Sequence, residues 1–357
     1  MHEGLTPKYT KYARVLETRI RQGDYAVREL PTEQELADEV GVSRMTARRA
    51  LIELMNKGLL VRKPHGKVVI NQEHAQFVDQ LRLAFLGPAF SSPDFENWRF
   101  AVERVTAKFN ATVRNVDYVH WDDPVIPQTL AAFDGVFLVL SSEKIPPSLL
   151  ERLSRSKNLV ALGSDLSEQG IPSVRLLPPI CVQQLADHLF DLGHRNIDCL
   201  NAQPHDDVIQ SRMEHWSQWQ RIHKVEGRLI DEPVAPFASV APKAYAAMKK
   251  LLDANQFTAT GLVCITDGAA TGAIRALHDA GKTVGQDVSV CSVESGELGS
   301  MQVPSRTMLN PPDPGPYIEV CVDWFKRRND AWLGPMLIQP ANIPLFVGES
   351  TGQIQDR

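Results

Sequence analysis

The sequence is poor in the features that mark secreted, membrane-spanning or metal-dependent proteins. Only five cysteines occur in 357 residues, Cys181, Cys199, Cys264, Cys291 and Cys321, widely spaced and odd in number. That pattern argues against a disulfide frame and a zinc site, and predicts reduced thiols buried in the core. Apolar runs are short, Val136 to Leu140 being among the longest, far below the roughly 20 residues that a bilayer-spanning helix needs. The first residues lack the basic, apolar, small-residue order of a signal peptide, so a cytoplasmic location is expected, without membrane contact. The ten histidines fall at no metal-ligand spacing, and neither a Gly-x-Ser-x-Gly elbow nor a glycine-rich phosphate loop is present. An enzyme is therefore not expected, and no catalytic residue, metal or cofactor is assigned. Short repeats and low-complexity segments are also missing.

What is present is an uneven distribution of charge. Residues 1 to 71 hold 13 basic and 9 acidic side chains, net +4, and the remainder holds 25 basic and 34 acidic, net −9. Between Gly41 and Asn71 seven Lys or Arg (Arg44, Arg48, Arg49, Lys57, Arg62, Lys63, Lys67) face one acid, Glu53. A positive field confined to one end of an acidic chain points to phosphates as its counterpart. The length exceeds what one core usually organises. The reading divides the chain at 1–71, a linker at 72–80 that is polar and without periodicity, and a body at 81–357.

The first segment reads as three helices and a hairpin. Tyr12, Val15, Leu16 and Ile20 lie at helical spacing. Thr32 with Glu35 three residues later forms a capping box, and Ser43 is an N-cap eleven residues on. Leu36, Ala37 and Val40 form one apolar stripe, and Val42, Ala47, Ala50, Leu51, Leu54 and Met55 another. Gly41 between them supplies the left-handed residue of a tight turn, giving a helix-turn-helix. The second helix leaves Arg44, Met45, Thr46, Arg48 and Arg49 off its stripe near its start, the part of a recognition helix that enters the major groove. Leu59–Arg62 and Lys67–Ile70 read as strands joined by Lys63-Pro64-His65-Gly66, a basic wing. The alternative is a set of solvated charges on a small helical domain.

These residues resemble the winged helix-turn-helix of the GntR family of bacterial transcription regulators. The resemblance covers about Lys8 to Ile70 and rests on Gly23-Asp24-Tyr25, Leu30-Pro31-Thr32-Glu33, the run Val42 to Leu51, and the wing from Leu59. It implies operator DNA as partner, with contacts from Arg44, Thr46, Arg48 and Arg49 and from His65, Gly66 and Lys67 at the minor groove. Thr32, Ser43 and Met45 are counted with them as DNA-binding. One departure is Pro64-His65-Gly66-Lys67-Val68-Val69 where the family has Gly-x-Gly-Thr-Phe-Val.

From Leu81 short apolar strands alternate with amphipathic helices, the pattern of a mostly parallel sheet covered on both faces. Two α/β halves, about 81–180 and 181–300 with a late crossover, would leave a cleft at their strand ends where small ligands bind. The body resembles the effector domain of LacI/GalR regulators, itself related to periplasmic sugar-binding proteins. The residues that carry this are Leu185 to Ile197, Thr266 to Ala273, Gly281 with Gln286 to Val290, and Pro344 to Thr351. The expected fold class is thus multidomain: an α+β winged helix-turn-helix head plus an α/β two-lobed, periplasmic-binding-protein-like body.

The family pattern implies four ligand-binding candidates: Asp165 after the fourth body strand, Arg212 at a helix start, Asp267 after Ile265, and Glu294 after Val293. Competing roles are a helix N-cap for Asp267, a loop cap for Asp165 and simple solvation for Glu294. The chain also departs from the family around the cleft, at Val174 to Pro179, at Ser292-Val293-Glu294, and at Met213-Glu214-His215 after Arg212. The leading expectation is a homodimeric transcription regulator, a repressor, controlled by a small sugar-like effector. A DNA-binding regulator with a degenerate, non-sensing body is the alternative. GntR heads also occur on aminotransferase-like bodies, but this body carries the LacI-like marks and is short for that class.

Overall fold

The computed structural model describes residues 8–27, 29–71, 80–90, 92–235, 238–293, 296–327 and 330–354. Most of the expected linker therefore lies outside the described residues. The head consists of α1 (Lys8–Arg21), α2 (Glu33–Val40), α3 (Arg44–Asn56), β1 (Leu60–Arg62) and β2 (Val68–Ile70). Tyr12, Leu16 and Ile20 of α1 meet Leu36 and Ala37 of α2 and Ala47, Ala50, Leu51 and Leu54 of α3 in one buried cluster. The Tyr12 hydroxyl donates to the Leu36 carbonyl at 3.0 Å, tying α1 to α2. Val15 and Val40 do not join it: they are 50% and 43% exposed, on the outer sides of their helices. β1 and β2 pair antiparallel with Leu60 opposite Ile70 and Arg62 opposite Val68, as a wing requires.

The body has two α/β lobes. The first contributes β3 (Leu81–Pro88), α4 (Pro93–Thr106), β4 (Ala111–Tyr118), α5 (Val125–Ala132), β5 (Gly135–Val139), α6 (Pro147–Ser154), β6 (Leu159–Leu162) and β7 (Ser173–Val174). The second contributes α7 (Val182–Asp191), β8 (Ile197–Asn201), α8 (Asp207–His223), β9 (Leu229–Asp231), α9 (Val240–Asp253), β10 (Gly261–Cys264), α10 (Asp267–Asp279), β11 (Ser289–Ser292), α11 (Gly296–Ser300) and β12 (Thr307–Leu309). The chain then returns to the first lobe for α12 (Gly315–Lys326) and β13 (Leu337–Ile338) and ends in the second with β14 (Leu345–Phe346).

The sheet orders are β13-β7-β6-β5-β3-β4 and β14-β12-β11-β10-β8-β9. Every strand pair in them is parallel except β12 with β14. Each sheet is sandwiched between two apolar clusters, so its central strands are buried on both faces and read as unbroken apolar runs. All five cysteines are buried in these layers as thiols. The terminal segment closes the second lobe. Ser350 Oγ donates to the Val290 carbonyl at 2.6 Å and accepts from the Thr307 N–H at 2.8 Å. Buried His194 lies 2.9 Å from Thr260 Oγ1, 3.0 Å from Ser289 Oγ and 3.1 Å from the Gly352 carbonyl.

Candidate nucleic-acid interface and ligand cleft

The head's charged face is built from its caps outward. Thr32 Oγ1 accepts from the Glu35 N–H at 3.3 Å while the Thr32 N–H donates to the Glu35 carboxylate at 2.8 Å. That backbone bond holds the Glu35 carboxyl below its usual range. Gly41 sits at φ 65° and turns the chain. Ser43 Oγ then accepts from the Thr46 N–H at 3.2 Å and lies 2.8 Å from Thr46 Oγ1. Burial of Ala47, Ala50, Leu51 and Leu54 leaves Arg44, Met45, Arg48 and Arg49 pointing outward, all exposed, with Thr46 half-buried. Thr32 and Ser43, counted from sequence with the contacts, spend their hydroxyls on helix starts. At the wing, Gly66 takes φ 81° and donates its N–H to the Lys63 carbonyl at 2.8 Å. His65 and Gly66 are exposed, and Lys67 pairs with Glu29 at 2.6 Å in an exposed contact that costs little to break.

In the body, helix starts cluster at the C-terminal ends of both parallel sheets: α4 after β3, and α8 and α10 after β8 and β10. Asp206 caps α8, accepting from the Ile209 N–H at 2.8 Å. Arg212 is therefore inside α8, and the expected placement at the helix start is corrected, because the Asp206 cap starts the helix earlier. Its side chain is only 8% exposed and donates from Nη1 to the Ile265 carbonyl at 3.1 Å. Asp94, in the first turn of α4, lies within electrostatic reach of Arg212 and Asp206 across the lobes. Burial above all raises the Asp94 carboxyl to about 6, with Arg212 pulling it down and Asp206 pushing it up.

The other candidates are engaged differently. Asp165 accepts from the Ser167 N–H at 3.0 Å and from Ser167 Oγ at 2.6 Å, and its other oxygen lies 3.6 Å from Arg175. This is the loop-cap role. Asp267 is the first residue of α10, not its cap, since Thr266 supplies the cap. Its carboxylate pairs with the guanidinium of Arg306, which is 1% exposed and also donates to Thr271 Oγ1 at 3.1 Å. Glu294 lies outside the described residues. The sequence reading missed Asp94 and Asp206, whose signal is an acid just after a strand at a helix start, and missed Arg306, which no local pattern marks.

The model of gntR-family bacterial regulatory proteins matches residues 8–70, and that of a periplasmic binding protein-like domain matches residues 186–314. Residues 8–70 form a GntR-family domain. The chain is 44% identical over 77 residues to the HTH-type transcriptional repressor NagR of Bacillus subtilis (strain 168), covering 21% of this chain and 32% of that protein. It is 43% identical over 63 residues to the histidine utilization repressor of Pseudomonas putida, covering 17% of this chain and 25% of that protein. The chain thus spans about a third or less of the length of the curated relatives it matches.

The body's likeness is to solved structures. One is a LacI-family putative transcriptional regulator from Sanguibacter keddieii (TM-score 0.61, 21% identity, 76% of this chain and 98% of that one). Another is a LacI-family regulator from Enterococcus faecium with bound ribose (TM-score 0.62, 17% identity, 76% and 99%). At such identities the likeness establishes the two-lobed fold alone.

Proposed function

We propose that this protein is a sequence-specific transcription regulator, a repressor, in which the GntR-type head grips operator DNA and the two-lobed body binds a small sugar-like metabolite. The observation that carries it is the outward fan of Arg44, Arg48 and Arg49 on a capped helix beside a basic wing. Arginine in such a fan makes forked bonds to guanine or phosphate. Repressors among the head's relatives and LacI-type folds for the body support the same reading. A homodimer would set two heads on an inverted repeat with half-sites about one helical turn apart. The test is a titration of the protein with its own upstream DNA at several salt concentrations. A sequence-preferring complex is expected, and Arg48→Ala with Arg49→Ala should weaken it and flatten the salt slope by roughly one unit for each phosphate no longer neutralised. Binding that ignores both sequence and salt rejects the proposal.

A second reading, a regulator whose body no longer senses, is favoured by one observation. Asp165 and Asp267 are taken up by Ser167, Arg175 and Arg306. Thermal-shift screening against sugars separates the two, because only a live sensor gains stability with ligand.

A further inference from the structure

We infer that the head is held in a DNA-excluding position: the first lobe of the body stands against its reading face, and the head must leave that lobe before a duplex can enter. This rests on the DNA-gripping reading of the head and adds how that grip is withheld. The observation behind it is a cavity of about 1450 Å³ between head and body. One wall holds four residues counted with the DNA contacts, Thr32, Arg44, Gly66 and Lys67. The opposite wall is the edge strand β4, from Arg114 to Asp117, with Val125 and Phe133 at the two ends of α5. A sphere of that volume is roughly 14 Å across, hardly wider than the major groove alone, which spans about 12 Å. The two phosphate backbones that border the groove find no place in it.

Charge points the same way. Five Arg or Lys line the cavity against six Asp or Glu, so a phosphate entering it meets walls of net negative charge. The two cations that face it are already occupied, Arg44 by Glu33 at 3.4 Å and Lys67 by Glu29 at 2.6 Å. Both pairs have a well-exposed partner and exchange readily for phosphate once a duplex has access, so they weaken the grip without abolishing it. Arg48 and Arg49 are exposed and lie outside the cavity, so phosphates can be met there while the groove cannot be entered. The seat that keeps the head in place is small and confined to the turn after α1. Asp24 pairs with Arg114, whose Nε donates to the Gln22 carbonyl at 3.1 Å, and Ala26 and Val27 pack on the apolar cluster of the first lobe. A seat of that size can be left without unfolding either domain.

The experiment is fluorescence anisotropy of the full chain at low salt with two labelled duplexes, one from the protein's own upstream DNA and one of mixed sequence. Arg114→Ala and Val27→Ser each loosen the seat. The first removes a positive charge, which by itself weakens attachment to phosphates. Release of the head predicts the opposite: affinity for the upstream duplex about 2- to 10-fold above native, because the binding-competent fraction rises. Val27→Ser should give a similar gain with no change of charge. In a third variant, Asp24→Cys with Arg114→Cys, a short bismaleimide joins head to lobe, the five native thiols being buried. The joined protein is expected to bind the upstream duplex on the order of tenfold or more weakly than the same variant with its two new thiols capped singly. Single variants that fold yet bind no tighter than native, or a joined protein that binds as well as the capped one, overturn the inference and leave the DNA-gripping reading standing. If native, single-variant and capped proteins all ignore both duplexes, that reading itself falls and the inference with it.

Discussion

At the scale of single residues, two titratable groups, buried His194 and half-buried Asp94, give stability opposite dependences on pH. His194, wedged between Thr260, Ser289 and the Gly352 carbonyl, is held below its usual range chiefly by burial. A base lowered by folding binds its proton more readily unfolded, so its contribution is complete above the unfolded value of about 6.5 and is lost as pH falls below it. Asp94 behaves the other way. Its carboxyl is raised from 3.8 to about 6, so folding disfavours its charged form, and its cost is present above about 6 and absent below 3.8. Asp94→Asn is expected to stabilise the protein near neutral pH by on the order of 1–3 kcal/mol, a gain that fades as pH falls toward 4. His194→Gln should lower stability at neutral pH yet flatten the loss that sets in as pH falls below about 6.5, because the proton uptake that drives it is gone. Urea melts of both variants across that range check the signs, and parallel curves for native and variant proteins would refute them.

Among secondary-structure elements, what could be read in advance was what is local. Thr32 with Glu35, Ser43 and Gly41 announce α2, the turn and α3 because each satisfies a nearby orphan donor or a single backbone dihedral. α5 was not foreseen: its start follows Trp121 to Pro124, a stretch of acids and proline that reads as loop, and only burial of Ile126 against the sheet makes it a helix worth forming. β13 was missed for a related reason, as two residues whose only strand partner is distant β7 carry no period of their own. The candidate site divides along the same line. The exposed arginines of α3 follow from helical period, whereas the pairing of Asp267 with Arg306 arises through the fold and leaves no spacing to find.

Two substitutions test the elements themselves. Ser43→Ala removes the side-chain acceptor that the Thr46 N–H shares with the Ser43 carbonyl and is expected to cost about 1 kcal/mol, most of it in the head. Gly272, in α10, has no room for a side chain: a Cβ would lie 2.3 Å from the Ala241 carbonyl oxygen and 2.6 Å from the Tyr245 nitrogen of α9. Gly272→Ala must therefore push two helices apart. The gain in helix propensity, about 1 kcal/mol, is expected to be outweighed by a clash costing roughly 1–3 kcal/mol. A thermal melt in which Gly272→Ala is as stable as native would show that α9 and α10 are not so closely fixed.

On the scale of the whole molecule, the question is how the body could influence the head. Beyond the chain connection, the two touch through the turn after α1. Arg114, on β4 at the edge of the first sheet, donates from Nε to the Gln22 carbonyl at 3.1 Å and pairs with Asp24. Asp24 also pairs with Arg19 at 2.9 Å, and Arg19 reaches Glu39 of α2 at 2.9 Å. A line of alternating charges thus runs from the sheet edge to the helix that precedes α3. Beside it Ala26 and Val27 pack on the first lobe's apolar cluster. Gly23 sits at φ 84° so close to Phe133 that a Cβ would lie 3.2 Å from its ring. Arg114 and Asp24 retain 34% and 17% side-chain exposure, so screening keeps the pair modest, about 0.5–1.5 kcal/mol with its backbone bond included. Its upper part reaches the low end of the couplings by which effectors commonly act, about 1–3 kcal/mol. Arg114→Ala should therefore release the head without unfolding it. Backbone exchange over residues 22–27 is expected to quicken a few-fold, while the buried amides of α1 and α3 keep their protection. Asp24→Asn should do the same, and the double variant little more, since partners in one interaction are not additive. Unchanged exchange in that turn would mean the apolar contacts alone hold the head, and a charge-mediated path from lobe to recognition helix would have to be abandoned.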